Sequence, residues 1–349
     1  MSARQLLAAF DRWRSTRTPL VLATVVETAG STYTKAGHRM LIAADGRWQG
    51  LVSGGCLEGD LAEHAGRVLA DDRARVIDYD LRNDSDGVFG LGIGCDGLFR
   101  ILLQPLRPRD GYDPFDRIAA TMAGEQAVVM ATVYESHAVD VPLGTTVTVD
   151  GRLPEGWLLA SGGIPVGSAT VTSGAGNMRA LFATIRPLPR LLIVGAGPDA
   201  VPLASLAHDL DWRVTVADHR PGHLGRGDFA VGGTLLLEQP ASLVQAPDLD
   251  RYSAAVVMSH HLDTDREALR VLARTRIPFV GLLGPVARRD RLLAELGDAA
   301  APLLPRLHAP VGLDIAADTP AAIALAIVAQ LQASRVRLSA GNHAGGSDQ

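Results

Sequence analysis

Residues 191–218 constrain the fold of this chain more than any other stretch. The apolar run Leu-Leu-Ile-Val is followed by Gly195-Ala196-Gly197-Pro198-Asp199-Ala200, then a helical pattern over 198–210, then Val-Thr-Val-Ala-Asp ending at Asp218. This is the order of a dinucleotide-binding βαβ unit, G-x-G-x-x-[G/A] with an acid about 20 residues further on. Gly195 permits the tight turn, Gly197 lets a phosphate approach the backbone, and Ala200 keeps helix and strand close. Asp218 stands where a carboxylate takes a ribose hydroxyl. Arg220, just beyond it, suits a phosphate on that ribose or another anion.

The alternation continues with TLLLE, AAVVMS, a helix from 265, PFVGLLG and a helix from 288, which predicts a parallel sheet with crossover helices. We therefore read 190–336 as a Rossmann-like nucleotide-binding domain within an α/β chain, and 337–349 as a disordered tail. Residues 1–186 read as a mixed α/β domain with a β-rich second half over 127–185. It opens with an amphipathic helix (3–14) and a strand (20–29) apolar enough to be buried on both faces. A helix at 56–71 and strands at 75–81 and 98–106 follow. A final helix is announced by Asp318-Thr319-Pro320.

With 349 residues and 47% hydrophobic content, the chain can bury two or three cores. No apolar run reaches the roughly 18 residues of a membrane helix, and the charged N-terminus is unlike a signal peptide. A cytoplasmic protein is expected. A net charge of −5 gives no footprint for nucleic acid or an anionic membrane.

The two cysteines, Cys56 and Cys95, exclude a disulfide framework and a CxxC metal site. Most cysteines are simply buried, but these lie in SGGCLEG and LGIGCDG. Gly54, Gly55 and Gly94 leave the sulfur little shielded and let N–H groups face a ligand. Glu58 either complements the helix dipole or accepts a proton. Ser259, His260 and His261 lie at the carboxyl end of AAVVMS, where open α/β sheets place ligands. A metal there is disfavoured because Thr264 and Glu267 fit a capping box and adjacent histidines diverge, which leaves one ligand-facing histidine. Gly284 ends the next strand. Arg288 and Arg289 follow in a first helical turn, either solvated or recruiting an anion.

ETAGSTYTKAGHRMLI, GGCLEGDL, GCDG, IVGAGPDA, VADHRP, VMSHHLDTDREAL, GLLGPVARRDRLL and HAPVGLDIAADTPAAIALAI occur in this order. Together they resemble the XdhC/CoxI family of molybdenum-enzyme maturation factors. The resemblance implies a chaperone that binds the molybdenum cofactor (molybdopterin), supports its sulfuration and inserts it into an apo-molybdoenzyme of xanthine dehydrogenase type. It also implies a homodimer and a cysteine desulfurase partner, with both domains jointly holding the cofactor. Gly54, Gly55, Cys56, Glu58, Gly94 and Cys95 are the positions it places near the cofactor, with Cys56 and Cys95 near molybdenum. Where the family shows GSTP, a third glycine and CGG, this chain has Gly30-Ser-Thr-Tyr33, Ser53 and Cys95-Asp96-Gly97. The alternatives are an NAD(P)-dependent oxidoreductase using Gly195, Gly197 and Asp218 with His260 or His261 in proton transfer, and a nucleotide-sensing module.

Overall fold

The computed structural model describes residues 2–81, 97–159, 163–225, 229, 233–237, 239–246 and 248–344. The chain divides into two compact units, Met1–Pro187 and Leu188–Gln349.

In the first unit the elements are α1 (Ala3–Ser15), β1 (Leu20–Gly30), β2 (Arg39–Ala43), β3 (Trp48–Gly50), α2 (Glu58–Asp71), β4 (Arg75–Asp80) and β5 (Gly97–Leu106). They are followed by α3 (Phe115–Ala123), β6 (Val128–Ser136), β7 (Thr146–Val149), β8 (Leu158–Leu159), β9 (Gly167–Ser173) and β10 (Gly176–Ile185). The strands form two five-stranded sheets, β3-β2-β1-β5-β4 and β7-β6-β10-β9-β8. Neighbours within both are antiparallel. β1 shows why an apolar strand need not alternate with polar residues. Its Val21, Ala23 and Val25 pack with Leu61, Ala65 and Val68 of α2. Leu20 and Leu22 pack on the other face with Phe10 and Trp13 of α1 and Phe115 and Ile118 of α3. The sequence carries no comparable signal for α3.

The second unit contains β11 (Arg190–Val194), α4 (Ala200–Asp209), β12 (Arg213–Asp218), α5 (Pro221–Leu224), β13 (Gly233–Leu236) and β14 (Ala254–Val257). After these come α6 (Leu262–Leu272), β15 (Val280–Leu282), α7 (Val286–Leu296), β16 (Leu307–His308) and α8 (Pro320–Ala344). The sheet runs β13-β12-β11-β14-β15-β16, every pair parallel. This is the doubly wound Rossmann order, and its direction reverses between β11 and β14. Alternate residues of β11 serve opposite layers. Leu191 and Ile193 meet Leu203 of α4 and Ile327 and Leu331 of α8. Leu192 and Val194 meet Leu269 and Leu272 of α6 and Leu292 of α7.

Three local expectations need correction. Helix α6 starts at Leu262 with His261 at its N-cap and no side-chain cap. The Thr264–Glu267 capping box is absent, because Glu267 pairs with Arg266 and Arg270 instead. Helix α8 continues through 337–344, where a disordered tail was expected. Its Thr319 hydroxyl accepts the Ala322 N–H at 3.2 Å, with Pro320 in the first turn. Among the described residues no helix is long and apolar enough to cross a membrane.

Candidate functional site

Each unit gathers glycine turns and polar side chains at one end of a sheet. In the first unit the organiser is Glu58. Its Oε1 accepts the N–H groups of Val52 at 3.0 Å and Ser53 at 2.9 Å. Its Oε2 accepts the Ser53 hydroxyl at 2.7 Å and the Gly55 N–H at 3.0 Å. The Ser53 Oγ in turn accepts the Leu57 N–H at 2.9 Å. Glu58 is buried, which alone would raise its pKa. The Ser53 hydroxyl and the backbone N–H groups outweigh that and leave the carboxyl below its ordinary range. A carboxylate with four donors on it is a weak proton acceptor. It shapes the turn.

That turn holds Gly54 at φ +96° and Gly55 at φ +112°, the left-handed region that glycine alone enters cheaply. Cys56 follows, exposed and with a free thiol. The ring of Tyr33 covers Gly54, where a Cβ would lie 3.5 Å from Tyr33 Cγ, while Gly55 faces open space. Beneath, Thr34 is buried and donates its hydroxyl to the Val52 carbonyl. Lys35 Nζ donates to the Thr32 hydroxyl at 3.2 Å. Gly94 and Cys95 lie outside the described residues. Gly97, which closes their motif, pairs with Gly30, and a Cβ on it would fall 2.5 Å from Thr32 Cγ2. The Ser31–Tyr33 stretch thus touches both glycine segments, a convergence that sequence spacing does not reveal.

In the second unit the fingerprint lies at the β11/β14 switch point. Gly195, at φ +114°, passes so close to β14's end that a Cβ would lie 2.6 Å from Ser259 Cα and N. Ala200 opens α4, fully buried. The Asp218 side chain is 1% exposed. Its Oδ2 accepts the Ala196 N–H at 2.8 Å. Arg220 grips it from the other side, Nε on Oδ1 at 2.9 Å and a terminal nitrogen on Oδ2 at 2.8 Å. Burial would raise the Asp218 pKa, but the Arg220 and backbone hydrogen bonds dominate and bring it down to about 2.

Across the turn, Asp265 is fully buried and accepts both the Ser259 N–H at 3.2 Å and the Ser259 hydroxyl at 2.5 Å. Arg288 donates Nε and a terminal nitrogen to Asp265 Oδ2 at 3.2 and 2.6 Å. Gly284, at φ +127°, makes room for this, since a Cβ there would lie 2.7 Å from Arg288 Cδ. His260, at φ +61°, lays its ring over Gly197 and places Nε2 2.9 Å from Asp199 Oδ2. His261 is exposed and sits 3.5 Å from the Thr264 hydroxyl. Among the described residues no group of three or more His, Cys, Asp or Glu is placed to hold a metal ion. The spacing of the sequence gives no reason to join Arg288 to Asp265, which lies 23 residues before it. Only the fold brings α6 and α7 together at the strand ends.

An antiparallel α/β unit with a thiol in a glycine turn, together with a Rossmann unit bearing a fingerprint at its switch point, defines the class of this protein. The model of the XdhC Rossmann domain matches residues 191–331, and that of the XdhC and CoxI family matches 13–80. A Bacillus subtilis protein named as a probable xanthine dehydrogenase subunit is 31% identical over 326 residues, covering 91% of this chain and 94% of its own. The Escherichia coli molybdenum cofactor insertion chaperone PaoD is 24% identical over 319 residues, covering 90% of this chain and 83% of its own. A crystal structure described as a xanthine dehydrogenase from Bacillus halodurans matches with a TM-score of 0.76 at 28% identity, over 94% of this chain and 96% of that one. The chain belongs to the XdhC/CoxI family.

Proposed function

We propose that this chain is a molybdenum-cofactor chaperone that binds the cofactor as cargo, supports its sulfuration and inserts it into a molybdoenzyme of xanthine dehydrogenase type. Family membership and the naming of PaoD as a cofactor insertion chaperone support the role. The observation that carries it is the exposed Cys56 thiol beside Gly55, on a turn held by a buried Glu58. The donor set suits the cargo. A soft sulfur ligand in an open, rigid turn fits a thiophilic metal, and the Cβ-free surface at Gly55 leaves room beside it.

In this reading Gly54, Gly55 and Cys56 meet the metal end of the cargo, with Gly94 and Cys95 assigned to the same task. Glu58 positions the turn. The second unit, taken by itself, has at the β11/β14 switch point a crevice shaped by Gly195, Gly197, Ala200, Ser259 and Gly284 that suits an anion. The partners are the apo-molybdoenzyme, a cysteine desulfurase that supplies sulfur and a second copy of this chain, all in the cytoplasm. Hydride transfer with NAD(P) draws less support. Asp218, which would have to accept ribose hydroxyls, already holds Arg220 and the Ala196 N–H.

The test is to purify the protein from cells that make the cofactor, oxidise the sample and measure pterin fluorescence, with parallel titrations of NAD(H) and NADP(H). Pterin in the wild type, lost together with delivery of active cofactor in Cys56→Ala, is the expected result. Absence of pterin with tight nicotinamide binding overturns the proposal.

A further inference from the structure

The fingerprint of the second unit differs from a dinucleotide site at both points where a dinucleotide is held. The ribose-binding carboxylate is closed, since Asp218 is saturated by Ala196 and by the two-pronged contact from Arg220. The helix end is altered as well. Asp199, the N-cap of α4, makes no cap hydrogen bond and directs its carboxylate to His260 Nε2. A carboxylate at a helix N-terminus takes up the favourable potential that a pyrophosphate would use. His260, over Gly197, lies on the approach that the missing Cβ would open.

What the crevice offers instead is a pair of guanidinium groups. Arg220 follows β12 and Arg288 lies in the first turn of α7 after β15, so the strand order sets them on opposite sides of the β11 and β14 ends. Each is fixed by a buried carboxylate, Asp218 for Arg220 and Asp265 for Arg288, both carboxylates 1% exposed as side chains. The two arms are electrostatically joined. Arg220 is held above its ordinary pKa first by its hydrogen bond to Asp218, against a burial effect that lowers it, with Asp265 adding to the rise. The arginine side chains are 31% and 17% exposed, open enough to be reached.

Arginine has five N–H donors in a planar fork. Each of these uses its Nε edge on its carboxylate, which leaves the other edge for a ligand oxygen. A fork immobilised in this way loses little entropy on binding and reads planar or tetrahedral oxyanions by geometry. Lysine cannot supply that.

We propose that Arg220 and Arg288 form a two-armed clamp for a phosphomonoester at the mouth of the β11/β14 crevice, and that this clamp takes the phosphate without recognising a nucleoside. The inference deepens the proposed function, in which the phosphate belongs to the cofactor's pterin, and rests on that reading only for the ligand's identity. The phosphate chemistry itself stands on the arginines.

The experiment uses the full chain and glycerol phosphate as the probe, followed by calorimetric titration, with AMP, NAD+ and adenosine as further arms. The expected result is saturable binding of glycerol phosphate, with AMP within about threefold of it, and no binding of adenosine. Arg220→Lys and Arg288→Lys keep the charge and lose the fork, and each should weaken glycerol phosphate at least tenfold. Arg289→Lys, one position along α7, should bind like the parent. The thermal transition of each variant reports whether the unit is folded. A folded pair of lysine variants that bind like the parent overturns the proposal. So does a parent that ignores glycerol phosphate, or one that takes NAD+ or AMP more than tenfold tighter than glycerol phosphate. If the clamp binds glycerol phosphate but the purified protein carries no pterin, the cofactor reading falls and the clamp stands. If pterin is present and glycerol phosphate is ignored, the reverse holds.

Discussion

Arg220 grips both oxygens of Asp218, at 2.9 and 2.8 Å, while the Ala196 N–H holds Oδ2 from the opposite side at 2.8 Å. This one carboxylate ties the end of β12 to the fingerprint turn after β11, so its ionisation contributes to the stability of the second unit. Its pKa in the folded chain, about 2, lies below the ordinary value of 3.8. A depressed carboxyl pKa stabilises the fold above the unfolded value, and that stabilisation is lost as pH falls through the folded one. The window is therefore pH 4 down to pH 2, and the amount is about 2 kcal/mol. Thermal unfolding followed across that range should show the loss in the parent. In Asp218→Asn this contribution should be missing at pH 7, lowering stability there by about 2 kcal/mol or more because Arg220 is left without its partner.

Glu58 makes the corresponding prediction for the first unit. Four donors converge on its two oxygens. In Glu58→Gln one oxygen becomes an NH2 group, which cannot accept and so leaves at least one buried donor unmet, at a cost of about 1–3 kcal/mol. The glutamine is nearly isosteric, so the unit should still fold. The turn should loosen, and the change should be legible in the alkylation rate of Cys56, which sits within that turn. An alkylation rate identical to the parent's would show that Glu58 does not set the thiol's surroundings.

The strand-glycine-helix cassette was legible because local sequence dictates it. LLIV ahead of a glycine turn reads as a buried strand, Gly195 marks that turn, and the strand–helix alternation predicts a parallel sheet, whereas the strand order comes from the structure. Helix α6 starts earlier than its cap signals suggest, because the cap-type residues Asp263 and Thr264 lie inside its first turn. His261 holds the N-cap position without a capping side chain. The clamp was harder still. Asp265 and Arg288 are separated by β15 and meet only because Gly284 lets the arginine fold back. Tyr33 over Gly54 is similar, a contact between two turns that no periodicity encodes.

Two glycines at nearly the same backbone angle should respond very differently to one added methyl group. Gly195 has φ +114° and Gly55 φ +112°, so both alanine variants carry backbone strain of about 1–3 kcal/mol. At Gly55 nothing lies within 4 Å, whereas at Gly195 the Cβ meets Ser259 Cα and N at 2.6 Å. Backbone atoms cannot swing aside, so β11 and β14 must separate. Gly195→Ala should destabilise its unit by several kcal/mol, about twice the loss in Gly55→Ala or more. Differential scanning calorimetry of the two variants decides it, and equal losses would contradict the close pass.

Cys56 separates stability from function. The side chain is exposed and the thiol free, so nothing in the packing depends on it. Cys56→Ala should leave the melting temperature of the first unit within the range of an ordinary surface change, about ±0.5 kcal/mol. Iodoacetamide should modify Cys56 in the native chain, as identified by peptide mapping, and the modified protein should unfold like the untreated one. The same treatment should abolish delivery of active cofactor to an apo-molybdoenzyme, because the alkylated sulfur is a thioether that can no longer deprotonate to the anionic thiolate a metal prefers, and its carboxamide fills the space beside Gly55. Full delivery by either the alkylated protein or Cys56→Ala would remove Cys56 from the site while leaving the fold assignments untouched.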